Sequence, residues 1–212
     1  YTITHTIMAS WSAGADGLIT LFSTLALYAV LNRSEEEPRW LWVAAVFSGL
    51  AMGVKYTGFF PTLGVMLVFA FTRRSKPVSV LKNLAAFTLI ASLFVGPWLA
   101  KNYIYKGNPV YPFMTGFFAL DSQSDPQMLK DFISQASQAD GLDVKGWFMS
   151  PWNITMGNTA NSEYFSPLFI FLLPLAFMLA GPAGGALQGL WLYFLTVWGA
   201  WSVTSTMVRY LM

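Results

Sequence analysis

WLWVAAVFSGLAMGVKYTGFFPTLGVMLVFAF, residues 40–71, is apolar almost throughout and carries a single charge, Lys55. A helix needs about 20 apolar residues to cross roughly 30 Å of hydrocarbon. This run is too long for one span and too short for two full ones. A lysine at the centre of a membrane helix costs about 2.5–3.5 kcal/mol on insertion scales, so a helical hairpin is the cheaper arrangement. Two shortish helices then meet at Gly53-Val54-Lys55-Tyr56-Thr57-Gly58, and Pro61 opens the second. Lys55 comes to a polar mouth, where its ammonium either meets an anionic substrate group or snorkels to lipid headgroups.

Composition points the same way. Of 212 residues, 55% are hydrophobic and 10% charged, against about 25% charged in soluble domains. So few charges cannot cover a water-facing surface, and the expected class is a polytopic membrane protein. A net charge of +2, with no basic cluster interleaved with aromatics, gives no reason to expect a nucleic-acid partner. The chain has no cysteine, which excludes disulfides, thiolate metal sites and a cysteine nucleophile. Tyr1 is not preceded by a basic region, and Val208-Arg209-Tyr210-Leu211-Met212 stops in apolar context. The expectation is an internal piece of a longer protein.

Outward from the hairpin, Asp16 to Leu31 reads as a span, with Asp16 at a helix N-terminus where the macrodipole favours a carboxylate. Asn32–Arg39 is a short polar loop, and Thr72 to Pro77 closes the hairpin. Val78 to about Leu99 is a further span ending near Pro97-Trp98. A long polar outer loop, 101–164, follows. Within it Asp125-Pro126 begins a short amphipathic helix with Leu129, Phe132, Ile133 and Ala136 on one face. Gly146-Trp147-Phe148 and Pro151-Trp152 read as interfacial anchors. Phe165–Leu179 and Ala186 to about Met207 complete the set. The expected fold is all-α: one membrane domain, a helix bundle of about five transmembrane helices with a long outer loop. Basic residues in the short loops, Arg33, Arg39, Arg73, Arg74, Lys76 and Lys82, place those loops in the cytoplasm. Asp16, Lys55, Lys101 and Arg209 then share the outer side.

Ionisable residues at membrane depth are functional candidates, and four at one level suggest a shared polar site. The alternative is that each merely flanks a span. His5, the only histidine, lies eleven residues before Asp16. The pair could hold a divalent metal or relay a proton, or His5 is simply packed. No cofactor is specified. No HExxH, paired CxxC, GxSxG or P-loop occurs, and the sequon Asn153-Ile154-Thr155 is too short to weigh.

Three stretches resemble the lipid-carrier-dependent membrane glycosyltransferases of the GT-C type, which include protein mannosyltransferases, aminoarabinose transferases and RgtA/B/C/D-like enzymes. They are Ala15-Asp16-Gly17-Leu18 running into Leu25-Ala26-Leu27-Tyr28, then Gly49-Leu50-Ala51-Met52-Gly53-Val54-Lys55-Tyr56-Thr57. The most specific is Pro97-Trp98-Leu99-Ala100-Lys101-Asn102 continuing to Gly107-Asn108-Pro109-Val110-Tyr111-Pro112. The resemblance implies sugar transfer from a polyprenyl-phosphate donor to a glycan, lipid or protein acceptor at the outer face of a bacterial or archaeal plasma membrane. It implies a principal catalytic carboxylate upstream of this stretch, with Asp16 a second acidic residue of the same site. Lys55 and Tyr56 would lie near the donor phosphate, and Lys101, Asn102 and Arg209 would line the site. The family often has Arg where Lys101 stands, so a bidentate phosphate contact is not implied. The competing reading is a secondary transporter or lipid flippase, which places broken helices and charges near the midplane; a non-catalytic scaffold is a third.

Overall fold

The computed structural model describes residues 15–32, 39–72, 76–111, 113–114, 117–118, 127, 144–156 and 185–204. Among them every regular element is helical. These are α1 (Ala15–Asn32), α2 (Arg39–Val54), a 3-10 turn (Tyr56–Gly58), α3 (Phe59–Thr72), α4 (Pro77–Lys106), α5 (Val144–Met156) and α6 (Gly185–Thr204). Two of them, α1 and α4, are long and apolar enough to cross a membrane. The expected amphipathic helix after Asp125 and the expected span Phe165–Leu179 lie outside the described residues.

The hairpin is present as expected. α2 ends at Val54, Lys55 is extended (φ −160°, ψ 146°), and the 3-10 turn leads into α3. The two arms pack antiparallel: Thr62 Oγ1, which donates locally to the Gly58 carbonyl oxygen at 2.8 Å, also reaches the Ser48 carbonyl oxygen of the other arm at 3.3 Å. Gly58 is what allows the fold-back, because a Cβ there would lie 2.3 Å from the Ala51 oxygen.

α2 is the central helix. It packs antiparallel on α1, with Phe22 stacked on Phe47 (centroids 6.2 Å apart) and Tyr28 edge-on to Trp40 (6.5 Å). On its other side it runs parallel to α4. Gly49 lies so close to Ala91 that an added Cβ would sit 2.5 Å from the Ala91 oxygen, and Gly53 faces Phe94. α3 packs antiparallel on α6, where Gly64 meets the Tyr193 ring and Gly189 meets Val68, Thr72 and Leu31. The core is Ala26, Ala29, Val30, Leu41, Ala44, Ala45, Val65, Val68, Phe69, Phe87 and Ala91. Its abundance of alanine lets the helix backbones approach closely.

α4 departs from expectation. The span was expected to stop near Pro97, since proline removes a backbone donor and crowds the preceding turn. Instead the helix continues through Pro97 to Lys106 and is capped by Gly107 at φ 65°, whose N–H donates to the Tyr103 oxygen at 2.9 Å. Trp98 to Lys106 contains neither Gly nor Pro, so helix resumes at once, and the only glycine-dependent stop is Gly107. Lys101 and Asn102 therefore stand on a helix and not in the loop. Likewise the anchor segment around Phe148 and Trp152 is helical, as α5.

At 1.5 Å per residue α4 is about 45 Å long. Phe87, Ala91 and Val95 bury one face, while Leu81, Leu89 and Leu93 on the others are each about two-thirds exposed. The apolar side chains of this helix are thus partly buried and partly exposed.

Because α2 and α4 meet through backbone at Gly49 and Ala91, Gly49→Ala forces the helices apart. We expect about 1–3 kcal/mol of destabilisation, read as a lowered thermal midpoint in detergent, with Gly17→Ala, which meets no atom within 4 Å, as the neutral control.

Candidate functional site

Directions of the helices decide which residues meet. α1 begins, and α2 and α4 end, at the same end of the bundle. Asp16 lies in the first turn of α1, and Lys55 lies in the break after α2. Their side chains form an ion pair, Nζ to Oδ1 at 2.9 Å, with 31% and 36% of the side chains exposed. Thr20 Oγ1 donates to the Asp16 main-chain oxygen at 2.9 Å, tying down the turn that carries the carboxylate. Residues 39 apart in the chain thus meet where α1 starts and the hairpin bends.

Beside this pair stands a second cluster, centred on the next residue. Tyr56 Oη donates to the Tyr111 carbonyl oxygen at 2.9 Å. It accepts from Asn102 Nδ2 and from Trp98 Nε1, the latter at 3.3 Å. Phe113 packs edge-on against the Tyr56 ring, 5.5 Å between centroids. Lys101 Nζ lies 4.5 Å above the Trp98 ring and Lys106 Nζ 5.8 Å from that of Tyr111, both cation–π geometries.

The turn after α4 is built by Asn108, which is buried. Its Oδ1 accepts from the Val110 N–H at 2.9 Å and its Nδ2 donates to the Phe113 oxygen at 2.7 Å. Just beyond, Met114 is held at φ 55°, a left-handed conformation that costs a non-glycine residue about 1–2 kcal/mol.

Of the residues singled out from sequence, Asp16, Lys55, Tyr56, Lys101 and Asn102 come together at this end. Arg209 and His5 lie outside the described residues. Among the described residues no three His, Cys, Asp or Glu side chains form a possible metal-ligand group. Sequence reading gave no role to Trp98, Asn108 or the Tyr111 carbonyl. Trp98 and Asn102 are four residues apart and so share a helix face, but that signal is hidden when the helix is ended at Leu99. At the opposite end lie Arg39 and Lys76, which start α2 and precede α4, and Lys82 one turn into α4.

Among the described residues, an all-helical, strongly apolar bundle with an ion pair and a hydrogen-bonded side-chain cluster at one end and basic residues at the other is the class these features define. The chain belongs to the family described as Domain of unknown function (DUF8201), whose model matches residues 1–212. No curated protein and no solved structure gives a significant match.

Ion pairs this exposed contribute about 0–1 kcal/mol to stability. Asp16→Asn and Lys55→Met, alone and combined, should therefore shift the unfolding free energy by no more than that, with a double-mutant coupling below about 1 kcal/mol. Denaturation in detergent checks it; a coupling of several kcal/mol would make the pair structural.

Proposed function

We propose that the chain is a multi-pass integral membrane protein and part of a glycosyltransferase that moves a sugar from a polyprenyl-phosphate donor to an acceptor at the outer face of the membrane. The observation that carries this reading is the Lys55–Asp16 ion pair at a helix break, with Lys101 at the same end. Membrane residence is supported by the exposed leucines of α4 and by the low charge content. Arg39, Lys76 and Lys82 at the other end favour that end as cytoplasmic, which makes the paired end extracytoplasmic.

The chemistry asks for these groups. The acceptor hydroxyl oxygen attacks the anomeric carbon, the bond from that carbon to the phosphate oxygen breaks, and the phosphate leaves with the electron pair on its lipid. The hydroxyl proton passes to a carboxylate acting as general base. Charge growing on the leaving phosphate is stabilised by nearby cations. Asp16 is the carboxylate this stretch offers, beside the one the family resemblance places upstream; Lys55 and Lys101 are the cations. A pair about one-third exposed is open to exchange: an incoming phosphate takes Lys55 and leaves Asp16 to accept a proton or hydrogen-bond the acceptor.

Sugar transfer by the full-length protein in nanodiscs, with undecaprenyl-phosphate sugars as donor probes and mass spectrometry as the readout, tests this. Asp16→Asn and Lys55→Ala should each lower turnover about 10²-fold or more with normal membrane insertion. Unchanged turnover in both removes these residues from the mechanism. Lipid movement between leaflets without any transfer would favour the flippase reading instead.

A further inference from the structure

We infer that Tyr56 is a positioning residue: its hydroxyl pins the Lys55 backbone to the end of α4 and takes no part in holding a ligand. A phenol has one O–H to donate and two lone pairs to accept with. All three are occupied within the protein, by the Tyr111 carbonyl, Asn102 and Trp98. A substrate oxygen would have to displace one of them.

What the pin controls is its neighbour. Lys55 is in neither α2 nor the 3-10 turn; it is extended between them, so its place depends on what holds the residues on each side. On the N-terminal side α2 is packed against α4 at Gly49 and Gly53. On the other side the Gly58 N–H donates to the Lys55 oxygen at 2.9 Å, and Tyr56 is bonded to α4 at Trp98 and Asn102. The same hydroxyl reaches the Tyr111 oxygen in the turn that Asn108 builds. Its ring meets Phe113, next to the strained Met114. Strained backbone persists where its surroundings over-determine it. Tyr56 thus joins the Lys55 break, the last turns of α4 and the following turn into one unit, and sets the reach of Lys55 toward Asp16.

This deepens the proposed function but is tested without relying on it. The readout is the rate at which Lys55 is acylated by acetic anhydride in the full-length protein, followed by mass spectrometry, with exposed Lys82 as internal reference. Tyr56→Phe keeps the ring and its contact with Phe113 and removes only the hydroxyl bonds. We expect Lys55 acylation without ligand to rise about fivefold, the factor for one net hydrogen bond. Asn102→Ala should raise it similarly, and the double variant should add little to the singles, as for residues acting through one bond network. Farnesyl phosphate serves as the phosphate probe. Ligand-free acylation unchanged within about twofold in Tyr56→Phe overturns the proposal. If protection of Lys55 by farnesyl phosphate is lost at the same time, Tyr56 is a ligand contact; if protection is kept, the hydroxyl bonds are idle. Increased acylation in Tyr56→Phe with no sugar transfer by the unmodified protein upholds the pin and sinks the transferase.

Discussion

An ammonium in an apolar run has to reach water or a carboxylate, and the bundle is arranged around how Lys55 does so. The helix stops for it: α2 ends at Val54, Lys55 is extended, and the chain turns back through Tyr56–Gly58. The carboxylate comes from the first turn of α1, Asp16, at 2.9 Å. Taking an unpaired charge out of water would cost several kcal/mol. Pairing at a helix end, with part of each group still exposed, avoids most of that and leaves the pair open to a competing anion.

The pair meets because backbones approach closely lower down. Gly49 against the Ala91 backbone sets α2 beside α4 and Gly58 against the Ala51 backbone sets the hairpin, while Gly64 makes room for the Tyr193 ring where α3 meets α6. Small side chains at these crossings leave little freedom in how the helix ends line up. The polar contacts above them, Lys55 to Asp16 and Tyr56 to Asn102, are the outcome of that alignment. The ion pair marks the place that packing has chosen, and its expected worth to stability is modest.

Polar chemistry at one end and basic residues at the other divide the bundle along its length. The first end carries a carboxylate, three lysines (Lys55, Lys101 and Lys106) and a tyrosine whose hydroxyl bonding is complete. The second carries Arg39, Lys76 and Lys82. On the proposed function, a phosphate-bearing lipid entering from the side of such a bundle would meet cations and a carboxylate at one level while its tail stayed among the exposed leucines of α4. The DUF8201 family model matches residues 1–212, the stretch that carries both ends.

Sequence alone determined the helical class, the hairpin and its bend at Lys55, because an isolated charge in an apolar run has few cheap places to go. It also singled out Asp16, Lys55, Tyr56, Lys101 and Asn102, since ionisable and amide groups beside spans are costly enough to stand out. It misjudged α4: a proline reads as a stop, but the residues after it hold neither Gly nor Pro, and the helix runs on to its cap at Gly107. Partnerships were decided by the tertiary structure. That Lys55 pairs with Asp16, and that the Tyr56 hydroxyl is used up by Asn102, Trp98 and Tyr111, depends on helix directions and on contacts between residues far apart in the chain, which no local pattern encodes.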